Sequence, residues 1–201
     1  LDLLFHGAVS EVHINDADPA VAAFWRAATQ HTDALIELVM SEPLDMANWH
    51  HWRNVMLAQN EPEPVKLGFA TLFMNRTNRS GILKGGVIGG KEQQGTYKLG
   101  DRFDREMLAK RLLKVGQHAQ AIHVHQEDAL ALLKRSHRLL PAQSLIYLDP
   151  PYYVKGQGLY RNFYQHDDHV NIAQALQSGR FKRHWVVSYD DAPEIRAMYS
   201  R

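Results

Sequence analysis

The alternation of apolar and polar positions along the chain predicts strands and helices in turn. Ser10 to Asp16 reads as a short strand ending in an acidic turn. Asp18-Pro19 then supplies an N-cap and a first-turn proline for one helix running through Phe24, Trp25, Leu35 and Leu38. Pro43 separates a second helical stretch from Leu44 to Leu57, Glu61-Pro62-Glu63-Pro64 reads as a linker, and Val65 to Asn75 resumes an apolar helical run. Residues 76–103 break this rhythm. They are rich in Gly, Asn, Arg and Thr without an apolar period, which suits an inserted loop or hairpin better than core.

A helix at about 104–116, a strand from Ala121 to His125 and a helix starting at Asp128 to Leu133 follow. Ser144 to Leu148 reads as a buried strand running into Asp149-Pro150-Pro151-Tyr152. A helix near 167–177, a strand from Trp185 to Ser188 and a helix start at Ala192-Pro193-Glu194 complete the pattern. Strands alternating with helices imply an α/β fold with a mostly parallel sheet covered on both faces. Ligands of such sheets sit at the carboxyl ends of the strands, and acidic residues stand at three of them: Asp16, Asp128 and Asp149.

Composition narrows the class. The 201 residues are 45% hydrophobic and 22% charged, enough for one core with a modest insertion. No apolar run approaches membrane-spanning length and the start lacks a secretory pattern, so a cytoplasmic protein is expected. The absence of cysteine excludes disulfides and thiolate zinc sites. The formal net charge is only +1, yet between Arg76 and Lys114 ten basic residues face Glu92, Asp101, Asp104 and Glu106. That excess fits a nucleic-acid-facing segment, although a solvated helix face at 104–114 would account for half of it.

The tetrapeptide Asp149-Pro150-Pro151-Tyr152 carries the clearest chemistry. Two prolines stop the strand ladder, fix two φ angles and hold a carboxylate beside a backbone carbonyl. A planar aromatic amine is a poor nucleophile because its lone pair is delocalised into the ring. Two acceptors aimed at its N–H bonds favour a pyramidal nitrogen with the lone pair directed at an electrophile. Tyr152 can stack on a base, an interaction worth roughly 1–3 kcal/mol. The same four residues read equally well as a proline turn closing a strand, with Asp149 as a helix cap and Tyr152 as rim packing.

Taken with Asn75 to Gly90, which reads NRTNRSGILKGGVIGG, and with VHINDADP and WVVSYDD, the tetrapeptide resembles the Dam-like, DPPY-type class of DNA adenine methyltransferases over essentially the whole chain. The resemblance implies a Rossmann-like S-adenosylmethionine-dependent methyltransferase sheet with an inserted DNA-recognition region. The catalytic core would be 1–64 and 115–201, and the recognition insertion 65–114. S-adenosyl-L-methionine is the implied cofactor and double-stranded DNA the implied partner, with no metal required and an adenine flipped out of the duplex as substrate. Asp149, Pro150, Pro151 and Tyr152 would be catalytic. Asn15 and Asp16 would hold the ribose, Asp128 and Ala129 would touch the adenosine ring, and Asp149 would also border the cofactor. Arg76 would hold a phosphate, Arg79 and Ser80 would stand near the position that enters the duplex, and Lys84 would read a base edge. Plain capping roles for Asp16 and Asp128 are the competing readings. The family opens with a glycine-rich loop that would precede Leu1 and closes with strands beyond Arg201, so the chain reads as truncated at both ends.

Other signals fall short. Gly85 to Lys91 has the spacing of a phosphate-binding loop, but Glu92 stands where a hydroxyl is needed and no strand precedes it. His123 and His125 share a strand face, and His50-His51 a helix, without a third residue at metal-ligand spacing. Trp25, Trp49, Trp52 and Trp185 read as packing residues. The alternatives to a DNA adenine methyltransferase are a methyltransferase for another planar amine, such as a protein glutamine or an RNA base, and a non-catalytic DNA-binding fragment.

Overall fold

The computed structural model describes residues 1–58, 63–154, 164–179 and 181–200, so Glu61 and Pro62 of the expected linker lie outside the described residues. The chain divides into two compact units, Leu1–Gln126 and Glu127–Arg201. No helix among the described residues is long and apolar enough to cross a membrane.

The first unit contains α1 (Asp2–Phe5), β1 (Val12–Asn15), α2 (Pro19–Gln30), α3 (Thr32–Ser41), α4 (Met46–Leu57), α5 (Pro64–Thr77), α6 (Arg105–Gln117) and β2 (Ile122–His125). Asp18 caps α2 by accepting from the Ala20 amide at 2.8 Å, with Pro19 at the first helical position, as the sequence predicts. The single helix expected through Leu38 is instead two, because the chain turns at His31 (φ −136°, ψ 40°). The turn redirects α3 so that Leu35 and Val39 are fully buried, while α3 comes against α6 so closely that a Cβ on Gly116 would lie 2.5 Å from the Thr32 hydroxyl. An apolar period continues across such a turn, so periodicity alone cannot place it.

Helix α5 is the axis of this unit. Phe69 to Met74 are all buried, and an apolar surface on every side is what a central helix needs. Its closest neighbour is α2, whose buried Ala20, Ala23 and Ala27 form a flat small-residue face. Gly68 meets that face so tightly that a Cβ would lie 2.7 Å from the Ala27 Cβ. Thr71 donates to the Ala20 carbonyl at 3.0 Å. Position 68 thus lies against residue 27 and position 71 against residue 20, and the two helices run antiparallel. Trp49, Trp52, Phe69, Phe73 and Phe103 extend the same core.

Strands β1 and β2 pair in parallel, Val12 opposite Ile122 through Asn15 opposite His125. Val12, Ile14, Ile122 and Val124 face the core, which leaves the alternate positions on the other side of the pair.

The second unit contains α7 (Ala129–Leu139), β3 (Leu145–Leu148), α8 (His166–Gln177), β4 (His184–Val187) and α9 (Pro193–Tyr199). β3 and β4 are parallel, with Leu148 opposite Val187. The apolar run of β3 predicts a buried strand, but only one face is buried: Ile146 and Leu148 pack with Leu133, Ile172, Leu176 and Trp185, whereas Leu145 and Tyr147 are 60% and 63% exposed. The expected parallel α/β pairing is therefore present as two two-stranded sheets, one in each unit, among the described residues.

Candidate functional site

In the second unit β3 delivers Asp149 to its carboxyl end. Asp149 is exposed, Pro150 is buried, and Pro151 and Tyr152 are half-buried. The strand register brings Ser188 alongside. Its amide donates to the Leu148 carbonyl at 3.0 Å, and its hydroxyl donates to Asp149 Oδ1 at 2.7 Å. Tyr147 Oη lies 3.0 Å from the same hydroxyl. The Asp149 carboxylate is thus oriented by a hydroxyl from the neighbouring strand end. Its other oxygen is the one such a clamp does not engage.

Two residues after Ser188, past the end of β4, Asp190 holds the exit of the turn. Its two carboxylate oxygens accept the backbone amides of Tyr153 at 2.8 Å and Val154 at 3.0 Å. Charge-assisted bonds of this kind are roughly twice as strong as neutral ones. Beneath the turn the Tyr153 ring packs edge-on against His169 at 5.3 Å between centroids. His169 is 1% exposed and its Nδ1 lies 2.9 Å from Tyr189 Oη. Burial holds the His169 imidazole below its usual pKa. Burial first, with Tyr199 and other neighbours adding to it, raises the Tyr189 phenol far above its own. Both shifts favour the neutral forms of these rings beneath the turn. Ser188, Tyr189 and Asp190 fall within the WVVSYDD segment but receive no role from the sequence, although three polar residues directly after a strand are the signal that points to one.

Asp128 caps α7 by accepting from the Ala131 amide at 3.1 Å. It also lines a hollow with Tyr164, Asp168 and Asn171. Ala129 is the first residue of that helix.

Asn15 and Asp16 belong to the first unit, at the end of β1. Asp16 Oδ1 accepts from the Asp18 amide at 2.8 Å, an Asx turn, while Asp18 itself caps α2. Capping the helix therefore does not require Asp16. Burial, above all, raises its carboxyl pKa, partly offset by the Asp18 amide.

The segment after α5 is irregular, with a single bridge between Asn78 and Val87, but it is not all surface: Val87, Ile88, Leu99 and Phe103 are buried. Asn75 donates to the Gly81 carbonyl at 3.1 Å. Gly81 has φ +72°, and a Cβ there would lie 3.0 Å from the Asn75 amide nitrogen. Asn78 is fully buried, donates to the carbonyls of Ile82 and Leu83 at 3.0 Å each, and accepts from Trp49 Nε1 at 2.8 Å. Sequence reading had not distinguished it from its neighbours. These bonds project Arg79, Ser80 and Lys84 as exposed residues, with Ser80 in the left-handed region at φ 56°.

Arg79 and Ser80 share a hollow with Tyr97, Asp101 and Arg102. Arg76 donates from Nε to the Arg102 carbonyl at 3.0 Å. Burial, then the charges of Arg102 and Arg111, hold Arg76 below its usual pKa. The Arg76 guanidinium is thus repelled by those of Arg102 and Arg111, and an anion would relieve that repulsion.

The linear spacing also hides a third ionisable group beside the strand histidines. Glu11 stands with His13 and His123, their candidate ligand atoms within 4.8 Å of one another.

The sequence matches the family model described as D12 class N6 adenine-specific DNA methyltransferase over residues 3–201. No curated protein matches it.

Proposed function

Since the chain belongs to the D12 class N6 adenine-specific DNA methyltransferase family, we propose that it transfers a methyl group from S-adenosylmethionine to the N6 amine of an adenine flipped out of duplex DNA. The observation that carries this reading is the clamped Asp149, whose carboxylate is oriented by Ser188 at 2.7 Å while Asp190 fixes the following backbone. A preorganised acceptor of this kind acts where charge develops. Asp149 and the Pro150 carbonyl would accept the two N–H bonds of the adenine amine and leave its nitrogen pyramidal, with the lone pair directed at the methyl group that S-adenosylmethionine would supply. The proton released from nitrogen passes to solvent by way of the acceptors. Pro151 keeps the turn rigid and Tyr152 stacks on the base.

On the cofactor side, Asn15 and Asp16 of the first unit are the residues offered to the ribose, and in the second unit Asp128 and Ala129 are those offered to the adenosine ring, with Asp149 bordering the cofactor. Residues 65–114 are the recognition region inserted in a core of 1–64 and 115–201. Arg76 with Arg102 and Arg111 holds phosphate, Arg79 and Ser80 approach the opened duplex, and Lys84 reads a base edge.

The test is methyl transfer from labelled S-adenosylmethionine to a randomised duplex library, followed by identification of the methylated base. N6-methyladenine in a defined sequence context is expected. Asp149→Ala should lower the rate by about 10²–10³-fold, the loss typical of removing one transition-state acceptor, with DNA affinity within a few fold. Label on protein or RNA only, or an unchanged rate in Asp149→Ala, would overturn the reading.

A further inference from the structure

The face of the β1–β2 pair turned away from the core is lined by ionisable side chains. His13 and His123 are register partners, so their side chains project from the same face. Glu11, two residues before His13, joins them there. Its Oε1 lies 3.6 Å from His13 Nε2 and its Oε2 lies 3.4 Å from His123 Nε2. Both separations are longer than a good N–H···O hydrogen bond, which closes to about 2.7–3.2 Å. They approach instead the spacing of neighbouring ligands around a tetrahedral ion, about 3.3–3.6 Å for donors held at about 2.0–2.2 Å from one metal, and one ligand atom from each of the three residues lies within 4.8 Å of the others.

A fourth residue completes the pattern. His13 Nδ1 lies 2.9 Å from His125 Nε2, and the two rings are parallel, 5.2 Å between centroids with 3° between their planes. When His13 donates this bond its proton is on Nδ1, and its Nε2 presents a lone pair toward Glu11. That is how a metal-binding histidine is usually oriented, with its second nitrogen engaged by a neighbour. The side chain of His13 is 15% exposed, and those of Glu11 and His123 are 39% and 42% exposed. The cluster is therefore sheltered at one ligand and reachable by an ion from the others.

We propose that Glu11, His13 and His123 form a binding site for a divalent transition-metal ion of the zinc class, with His125 as the residue that positions His13. Two imidazoles and one carboxylate are the donors that zinc, nickel and cobalt accept. The ion would fasten β1 to β2 across more than a hundred residues of chain, a few positions before the Asp16 turn. The site is independent of methyl transfer, and its test does not use that activity.

The protein is freed of metal with a chelator and titrated with zinc by calorimetry and with cobalt by visible absorption. One saturable equivalent is expected, with cobalt bands of tetrahedral intensity. Zinc should also raise Tm, because the ion binds the folded form. Glu11→Gln and His123→Ala should each lose the saturable equivalent and the Tm shift. His125→Ala should weaken zinc binding by about 10–100-fold, the usual effect of removing a residue that orients a ligand. His50→Ala and His51→Ala should change nothing, which separates this site from the chain's other histidines. Glu11→Gln alters an exposed side chain without changing its size, so its folding is checked by the melting curve in the absence of metal. Failure of the parent protein to take up a saturable equivalent, or retention of that equivalent by both Glu11→Gln and His123→Ala, overturns the site.

Discussion

The loop after α5 and the turn after β3 are both built on short sequence motifs, but they are held in opposite ways. The first is tied largely by its own side chains: Asn75 reaches Gly81 six residues on, and Asn78 reaches Ile82 and Leu83 four and five residues on. The second is held from across the sheet, by Ser188 on Asp149 and by Asp190 on Tyr153, partners 39 and 37 residues away. A self-tied loop carries its conformation in its own sequence, whereas a clamped turn depends on the register of a parallel neighbour. Substitution should therefore damage them differently.

The largest effect is expected at Asn78. Asn78→Ala leaves the Trp49 indole N–H and two carbonyls without their partner in a buried site, a loss of roughly 2–4 kcal/mol. Thermal or denaturant unfolding should register it directly. A change below about 0.5 kcal/mol would mean the loop is not tied from within.

Asp190→Ala should leave stability closer to the parent but lower the rate of methyl transfer by about 10–100-fold. Two bonds that position the turn are lost, but the freed amides lie near solvent, Val154 being exposed, so water can replace the carboxylate as their partner while the geometry of the turn is released. Single-turnover kinetics with saturating substrate would isolate that step. If only KM rises, the clamp serves binding and not the geometry of the turn.

At the exposed tip of the self-tied loop, Lys84→Ala should relax preference at one base pair by about 1–3 kcal/mol and leave folding alone. Sequencing of methylated library products measures it. An equal loss of binding to all sequences would instead assign Lys84 to the phosphate backbone.

The smallest effect concerns pH. Burial raises the Asp16 carboxyl pKa in the folded chain above the ordinary carboxylate value. Its neutral form is therefore favoured by folding, and the contribution of this group to stability falls as pH rises from the unfolded value through the raised folded value. Asp16→Asn should flatten that part of the stability–pH curve and leave neutral-pH stability no lower than the parent's, while weakening cofactor binding. A drop in Tm with unchanged cofactor Kd would make Asp16 a structural cap.

Much of this was legible from sequence because it is local. The strand at residues 12–15, the Asp18-Pro19 helix start and the proline turn at 149–152 each follow from neighbouring residues. The helix break at His31 was not, because nothing in the apolar period marks it; it arises from packing of α3 on α6. The roles of Ser188 and Asp190 depend on Leu148 pairing with Val187, and the place of Glu11 depends on His13 pairing with His123. Register of this kind is a property of the folded pair and leaves no trace in spacing. The burial of Val87, Ile88, Leu99 and Phe103 in a glycine-rich stretch was hidden for the same reason: isolated apolar residues have no period, yet each reaches the core.

The antiparallel contact of α2 and α5 has a mechanical consequence. The acidic turn at Asp16 leads into the start of α2, and the loop beginning at Asn78 leaves the end of α5. Antiparallel packing sets these two features at the same end of one helix pair. With Gly68 seated against Ala27 and Thr71 bonded to Ala20, there is no slack between the helices to act as a hinge. The pair is a stiff mount with two fittings. A force applied at the loop is transmitted to the turn as displacement and is not absorbed by bending, so adding one residue to α5 before Asn75 would rotate the loop by about 100° about the helix axis while the turn stayed in place.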